Sequence, residues 1–594
     1  MEPPDGSLLS VTDATGTTAY HYDPDTGALS GLDYPNGGSI RYERDGLGRV
    51  EKVVVKADKN APNSTAYVTE YGYDANGSAD RVKATSPGGQ VLETAMVYDE
   101  VNRLKERTLP NGVKMVYQYQ DNTDLVEKIT DLAPDGVTVL ASVAYERKGI
   151  GEPTKITRED GSYVRLEYDA SLRVDKESYY SAAGVLLQES DYDYDAAGNR
   201  KVVSDGLAAG TYSYENVNQL TEVTNGSNVE TYTYDAGGRV DVVNRNGVIR
   251  DFDYNTDNLI KQVKGGAGQV LVEYDYDSSG RRVEVKSGAA EKDYIVAPSS
   301  GDGLESPQLV MDGNGNPLGA YLYAGNQPLM RFDGSGNPVY YLTDAMGSVI
   351  GLAGAGGQGV ARFNYDSFGN LRNASGTGAS LPGNAGGDFR FQGQWLDEAT
   401  GLYNFRARYY DPETGRFMSY DPIELIDMEP ESSNPYQFVY NNPHVYSDPT
   451  GMFSIMELNS TISVQDALSA LKTYASNEIK GYFKNKIGEA MADSFTGIVK
   501  RLLPFAGVEL DQIRGRFKDG HKFEDFLKGQ ICGIFKSVGG PFLNRLWLEP
   551  GVLENGTPTH EGLNCPTPGN TNRKGVAKLG VVVNSNGHER REAL

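Results

Sequence analysis

The sequence predicts a mainly β protein, a strip of repeated hairpins joined to a smaller, α-rich C-terminal part. Three observations carry that reading. Aromatic-x-Tyr motifs return at a near-constant interval, the composition suits strands and tight turns, and the charge balance breaks near residue 452.

The repeat is clearest in YDYDAAGNRKVV from Tyr192, YSYENVNQLTEV from Tyr212, YTYDAGGRVDVV from Tyr232, FDYNTDNLIKQV from Phe252 and YDYDSSGRRVEV from Tyr274. The second aromatic falls at Tyr194, Tyr214, Tyr234, Tyr254 and Tyr276, at steps of 20, 20, 20 and 22 residues. Looser copies contain Tyr20, Tyr71, Tyr98 and Tyr168. A fixed period of this size marks a repeat architecture. Within a unit the period-two alternation puts both aromatics on one face of a strand. The Asp that follows, with Gly or Asn after it, supplies a turn that tolerates positive φ. Arg or Leu and then Val begin the return strand. One hairpin cannot bury its own face, but stacked neighbours can. The tyrosines are therefore packing ladders, and the Asp after each shapes a turn without binding calcium.

A chain of 594 residues is too long for one ordinary compact domain. It holds 71 Gly and 39 Tyr against 2 Trp and 2 Cys, a bias toward strands and tight turns. Two cysteines, Cys532 and Cys565, cannot make a disulfide framework or a zinc-finger site, and no cofactor is expected. The net charge of −25 argues against nucleic-acid binding by the strip. Residues 453–594 carry 18 Lys+Arg and 15 Asp+Glu, whereas residues 1–452 carry 38 and 66. Two different modules meet near 452. The start, MEPPDGSLLSV, lacks the basic and apolar regions of a secretory signal, and no apolar run is long enough for a membrane span.

The segment RYYDPETGRFMSYDPIELIDMEPESSNPYQFVYNNPHVYSDPTGMF, from Arg408 to Phe453, ends at that break. Two carboxylates that approach each other can share a proton, and one can then act as base toward a peptide. An arginine would orient them. Arg408, Asp421 and Asp448 are chemically sufficient for aspartic-type hydrolysis, but Asp-Pro turns and ion pairs are common, and the residues alone do not single them out.

The repeats, YYLTDAMGSVIGL from Tyr340, and above all FRFQGQWLDEATGLYNFRARYYDPETGRFMSYDP from Phe389 resemble the Rhs / YD-repeat family. The resemblance implies three regions: a YD-repeat β shell over 1–385, an Rhs-associated core domain over 386–452, and a variable effector over 453–594. It implies a hairpin strip that spirals into a hollow shell, closed at one end by the core domain and enclosing the effector. It also implies self-cleavage after a DPxGL-type motif, here Asp448-Pro449-Thr450-Gly451-Met452, with Asp421 and Arg408 as the other site residues. The cut then falls between Met452 and Phe453. The sequence departs from the family pattern at Glu424, where a glycine is usual, and at Met452, where leucine is usual. Tyr436, Tyr440 and Asn441-Asn442-Pro443 read as structural, and His444 as a partly exposed loop residue.

The tail reads as helical over 465–503 and again around Lys522–Phe535, with a turn-rich stretch after Pro550 and a short strand at Leu579–Val583. As a toxin enzyme such as a nuclease, it would draw on His521, His560 and His588, although no complete nuclease motif is present. Helix glycines would suit a membrane-active toxin, but lysines along the same stretch favour a soluble bundle. The resemblance further implies interbacterial competition or host toxicity, export by a specialised secretion system without a cleaved leader, a carrier or toxin-complex subunit, an immunity protein for 453–594, and an intracellular target. The competing reading is a cell-surface YD-repeat protein with an inert tail.

Overall fold

The computed structural model describes residues 8–452 and 455–456, apart from 150, 205–208, 216, 299–303, 378, 382–383 and 423–433. The expected helices and strand of the tail, with His521, His560 and His588, lie outside the described residues.

Among the described residues, thirty-three strands, numbered in chain order from β1 (Ser10–Asp13) to β33 (Leu371–Ser375), form one antiparallel sheet. Each strand pairs with its neighbours in sequence, so the sheet is a continuous meander. The mainly β expectation is borne out.

The repeat explains the local structure. In YTYDAGGRV the Asp235 carboxylate accepts the N–H groups of Gly237 and Arg239 at 2.9 and 3.0 Å, closing the turn. Asp45, Asp99, Asp169 and Asp277 do the same in their own turns. The Asp is thus a turn former, as expected. The Arg four residues on does more than start a strand. Arg239 Nε binds Asp235 at 2.6 Å, and its guanidinium lies 4.9 Å from the centre of the Tyr254 ring on the next hairpin. The second aromatic completes the ladder, donating its hydroxyl to a carbonyl on the preceding return strand. Tyr73 reaches Val50 at 2.6 Å, Tyr98 reaches Ala79 at 2.7 Å, Tyr194 reaches Val174 at 2.9 Å and Tyr254 reaches Val240 at 2.8 Å. Ring burial supplies most of the stabilisation, and each hydroxyl bond adds about 1 kcal/mol.

The strip winds back over itself. Tyr34 and Tyr42 donate to the carbonyls of Val296 and Pro298, Asn111 to Gly354, and Glu177 accepts from Ser367. Across these four contacts the partner number rises with the residue number, so one winding runs along another. Strands β26 (Ala290–Pro298) to β31 (Val349–Ala353) become the middle layer. Ile295, Leu309, Met311 and Leu322 face the early strands, while Tyr294, Val310, Tyr321 and Tyr323 face the core domain. Burial on both faces replaces the half-buried alternation seen elsewhere, with β31 buried throughout.

The stretch expected as the core domain holds a small sheet of β34 (Gly387–Phe389), β35 (Trp395–Asp397), β36 (Tyr403–Asn404), β37 (Tyr409–Asp411) and β38 (Arg416–Phe417). Phe405, Tyr410, Phe417 and Phe438 form its aromatic centre. Polar groups fasten it to the strip. Asp397 accepts from Tyr274 and Arg282 at 2.8 and 2.9 Å, and Asn441 and Asn442 donate to the carbonyls of Gly198 and Leu172.

Candidate functional site

Arg408 immediately precedes β37, Asp421 follows β38, and Asp448 follows β39 (Tyr446–Ser447). The strand β39 pairs with β40 (Ile455–Met456), and Asp448 opens a loop described as far as Met452. The sequence-selected Met452 lies in that loop, and Phe453 lies outside the described residues.

The three selected side chains meet. Arg408 Nη2 lies 2.8 Å from Asp421 Oδ2 and 3.3 Å from Asp448 Oδ2, so one nitrogen bridges both carboxylates. Arg408 is held over the Phe417 ring at 3.6 Å and donates through Nη1 to the Pro435 carbonyl. The Asp421 N–H donates to that same carbonyl at 3.0 Å, which fixes the two residues relative to each other. Asp448 is buried. Asp421 keeps 24% of its side chain exposed, which leaves it reachable by water.

The loop itself is held at almost every peptide. Asp448 Oδ1 accepts from the N–H groups of Thr450, Gly451 and Met452 at 3.2, 2.8 and 3.1 Å. On the opposite side, Arg406 Nη1 donates to the Pro449 carbonyl, the Ala407 N–H to Thr450, and Arg408 Nε to Gly451. Three consecutive residues of the core domain therefore grip three consecutive carbonyls. Gly451 has φ 72°, and a Cβ there would fall on the Phe405 carbonyl oxygen, so the motif's glycine is a steric requirement.

Sequence reasoning missed Arg406. Its signal was the alternation Asn404, Arg406, Arg408 ahead of β37. His444 is half-buried, as expected, and its Nε2 lies 2.8 Å from Ser367 Oγ. Burial, with Arg147 and Arg372 adding to it, pushes His444 down to about 3.

A family model described as Teneurin YD-shell matches residues 5–444. The chain belongs to the Teneurin YD-shell family. This YD-shell chain is 28% identical over 283 residues to the tRNA3(Ser)-specific nuclease WapA of Bacillus spizizenii, covering 46% of this chain and 11% of that protein. It is 49% identical over 63 residues to toxin protein Tse5 of Pseudomonas aeruginosa, covering 11% of this chain and 4% of that protein. Among solved structures, TcdB2-TccC3 without its hypervariable C-terminal region aligns over 76% of this chain and 27% of that one, with TM-score 0.46 and 17% identity. The chain thus spans only 11% and 4% of the lengths of these two curated relatives. The Rhs / YD-repeat resemblance read from the motifs is borne out for the YD-shell.

Proposed function

We propose that this chain is the shell and self-cleavage module of an Rhs-type polymorphic toxin. Residues 453–594 are its effector, and the bond between Met452 and Phe453 is its substrate. The observation that carries this reading is the meeting of Asp421 and Asp448 at Arg408 Nη2, beside a loop whose peptides are fixed one by one. A surface ion pair has no need of such a loop.

Asp421, the more open carboxylate, removes a proton from water. The water oxygen bonds to the Met452 carbonyl carbon. The proton passes to the Phe453 nitrogen as the C–N bond breaks, leaving a carboxylate on Met452 and an amine on Phe453. Arg408 orients Asp421, and Asp448 holds the Met452 N–H. The reaction occurs once per chain.

The toxin reading of the tail is supported by the names of relatives, one a tRNA nuclease and one a toxin protein. His521, His560 and His588 are its first candidates for mutation. A carrier or toxin-complex subunit, an immunity protein and specialised export complete the reading. The test is intact mass under denaturing conditions. The parent should give two fragments, the smaller beginning at Phe453, and Asp421→Asn should give one uncut chain. A single uncut parent chain would defeat the self-cleavage reading. For the tail, expression of 453–594 alone should arrest growth, and expression of the full chain should not. Growth of both cultures would favour an inert tail.

A further inference from the structure

Arg406 grips the Pro449 carbonyl, and the same guanidinium reaches across layers. Its Nε donates to the Glu305 carbonyl at 2.6 Å and its Nη2 to Ser306 Oγ at 3.0 Å, both on β27 (Glu305–Asp312) of the strip. Its Nη1 donates to Gln394 Oε1 at 2.9 Å and to the Pro449 carbonyl. One guanidinium therefore joins the middle layer of the strip, the core domain and the loop that carries the cut. Its own backbone is constrained to match. Arg406 has φ 65°, a left-handed conformation costly for a side-chain-bearing residue, and its N–H is held by Asn404 Oδ1 at 2.8 Å.

Resting on the self-cleavage reading, we infer that Arg406 is a positioning residue that makes cleavage conditional on docking of the core domain against β27. The reasoning is geometric. The Pro449 carbonyl lies three residues before the scissile one, and its place is set by Arg406. The place of Arg406 is set by two acceptors on the strip. A core domain folded apart from β27 keeps Arg408 and Asp421 in place, since Phe417 and Pro435 hold them within the domain, and Arg408 keeps its contact with Asp448. Its loop keeps the Ala407 and Arg408 grips on Thr450 and Gly451 but loses the placed Arg406 grip on Pro449, and with it part of its register. Misplacement of a reacting bond by about 1 Å can cost on the order of 100-fold in rate. Burial lowers the guanidinium to about 10, so it is still charged at neutral pH and can make all four bonds. The consequence is an order of events in which the effector is severed only after the strip has closed around the core domain.

The experiment follows cutting of the full-length chain during pulse-labelled cell-free synthesis. The parent, Arg406→Gln, Arg406→Lys, Ser306→Ala and Asp421→Asn are compared, each with limited proteolysis to confirm the wound strip. Arg406→Gln should slow cutting about 100-fold while the protease-resistant core is kept. Arg406→Lys should recover part of the rate with the parent's pH profile, and Ser306→Ala should give a smaller slowing in the same direction. Cutting of Arg406→Gln at the parental rate, with Asp421→Asn uncut, would overturn the inference and leave self-cleavage standing. Loss of the resistant core in both Arg406 variants would also overturn it, by making Arg406 a folding residue. A parent that is never cut would remove the reading beneath it.

Discussion

Arg408 Nη2 lies 2.8 Å from Asp421 Oδ2, with the arginine 2% exposed and the aspartate 24%. A buried cation and a water-facing carboxylate are thus joined at the edge of the core domain. Removing the cation leaves Asp448 buried without it. Arg408→Met should destabilise the protein by about 3 kcal/mol, the usual cost of stranding one partner of a buried pair, and should abolish cutting. Arg408→Lys should fold but cut slowly, because an ammonium cannot bridge both carboxylates and also reach Gly451 O. Urea unfolding and intact mass would check both.

Gly451→Ala tests the loop. The left-handed φ and the contact with the Phe405 carbonyl leave no room for a methyl group. The expected outcome is a loss of about 1–3 kcal/mol, concentrated in the loop, with a marked drop in the cut fraction. Hydrogen exchange at the amides of 450–452 would locate the change.

The tyrosine ladder predicts a graded series. Tyr73→Phe removes one hydroxyl bond, to Val50 O, and should cost about 1 kcal/mol. Tyr276→Phe removes the bond to Ile260 O and also the contact with the Tyr409 hydroxyl 2.8 Å away, which keeps Arg282 and Asn404 as donors, so it should cost more. Equal costs in thermal unfolding would count against a role for the second bond.

His444 gives a pH signature. Its folded pKa, near 3, lies below the ordinary histidine value of about 6.5. The unfolded chain therefore binds this proton first, and stability contributed by the neutral ring is lost as pH falls from about 6.5 toward 3. Partial exposure reduces the effect. Between pH 7 and pH 5 the parent should lose about 1–2 kcal/mol more than His444→Gln. The groups facing the ring are Ser367, Arg147 and Arg372, and Glu177 shares the Ser367 hydroxyl. Denaturant midpoints at the two pH values decide the point.

Much of this was legible in the sequence because each repeat solves a local problem. The phase of Tyr194 to Tyr276 set the hairpins, and Asp235 or Asp99 marked its turn without long-range help. The site residues were legible only through the family motif, since nothing local distinguishes Asp421 from any other Asp-Pro. Arg406 was missed because its acceptors, Glu305 and Ser306, lie about a hundred residues away. The left-handed run Val439, Tyr440 and Asn441 was equally hidden. Its cost is offset by contacts such as Asn441 with Gly198, which exist only once the core domain has docked. Burial of β26–β31 on both faces follows from the winding, and no period-two pattern can announce it.

The pairing pattern has a kinetic consequence. Every ladder joins strands adjacent in sequence, so loop closure for pairing is short throughout. The contacts between windings span far more chain, such as 190 residues between Glu177 and Ser367 and 262 between Tyr34 and Val296. Hairpins can zip as they emerge from the ribosome, in an Ising-like progression along the chain. The middle layer must wait. Until Leu322 meets the early strands and Tyr321 meets the core domain, it is an apolar slab open on two sides. That waiting interval is when chaperones have most to hold.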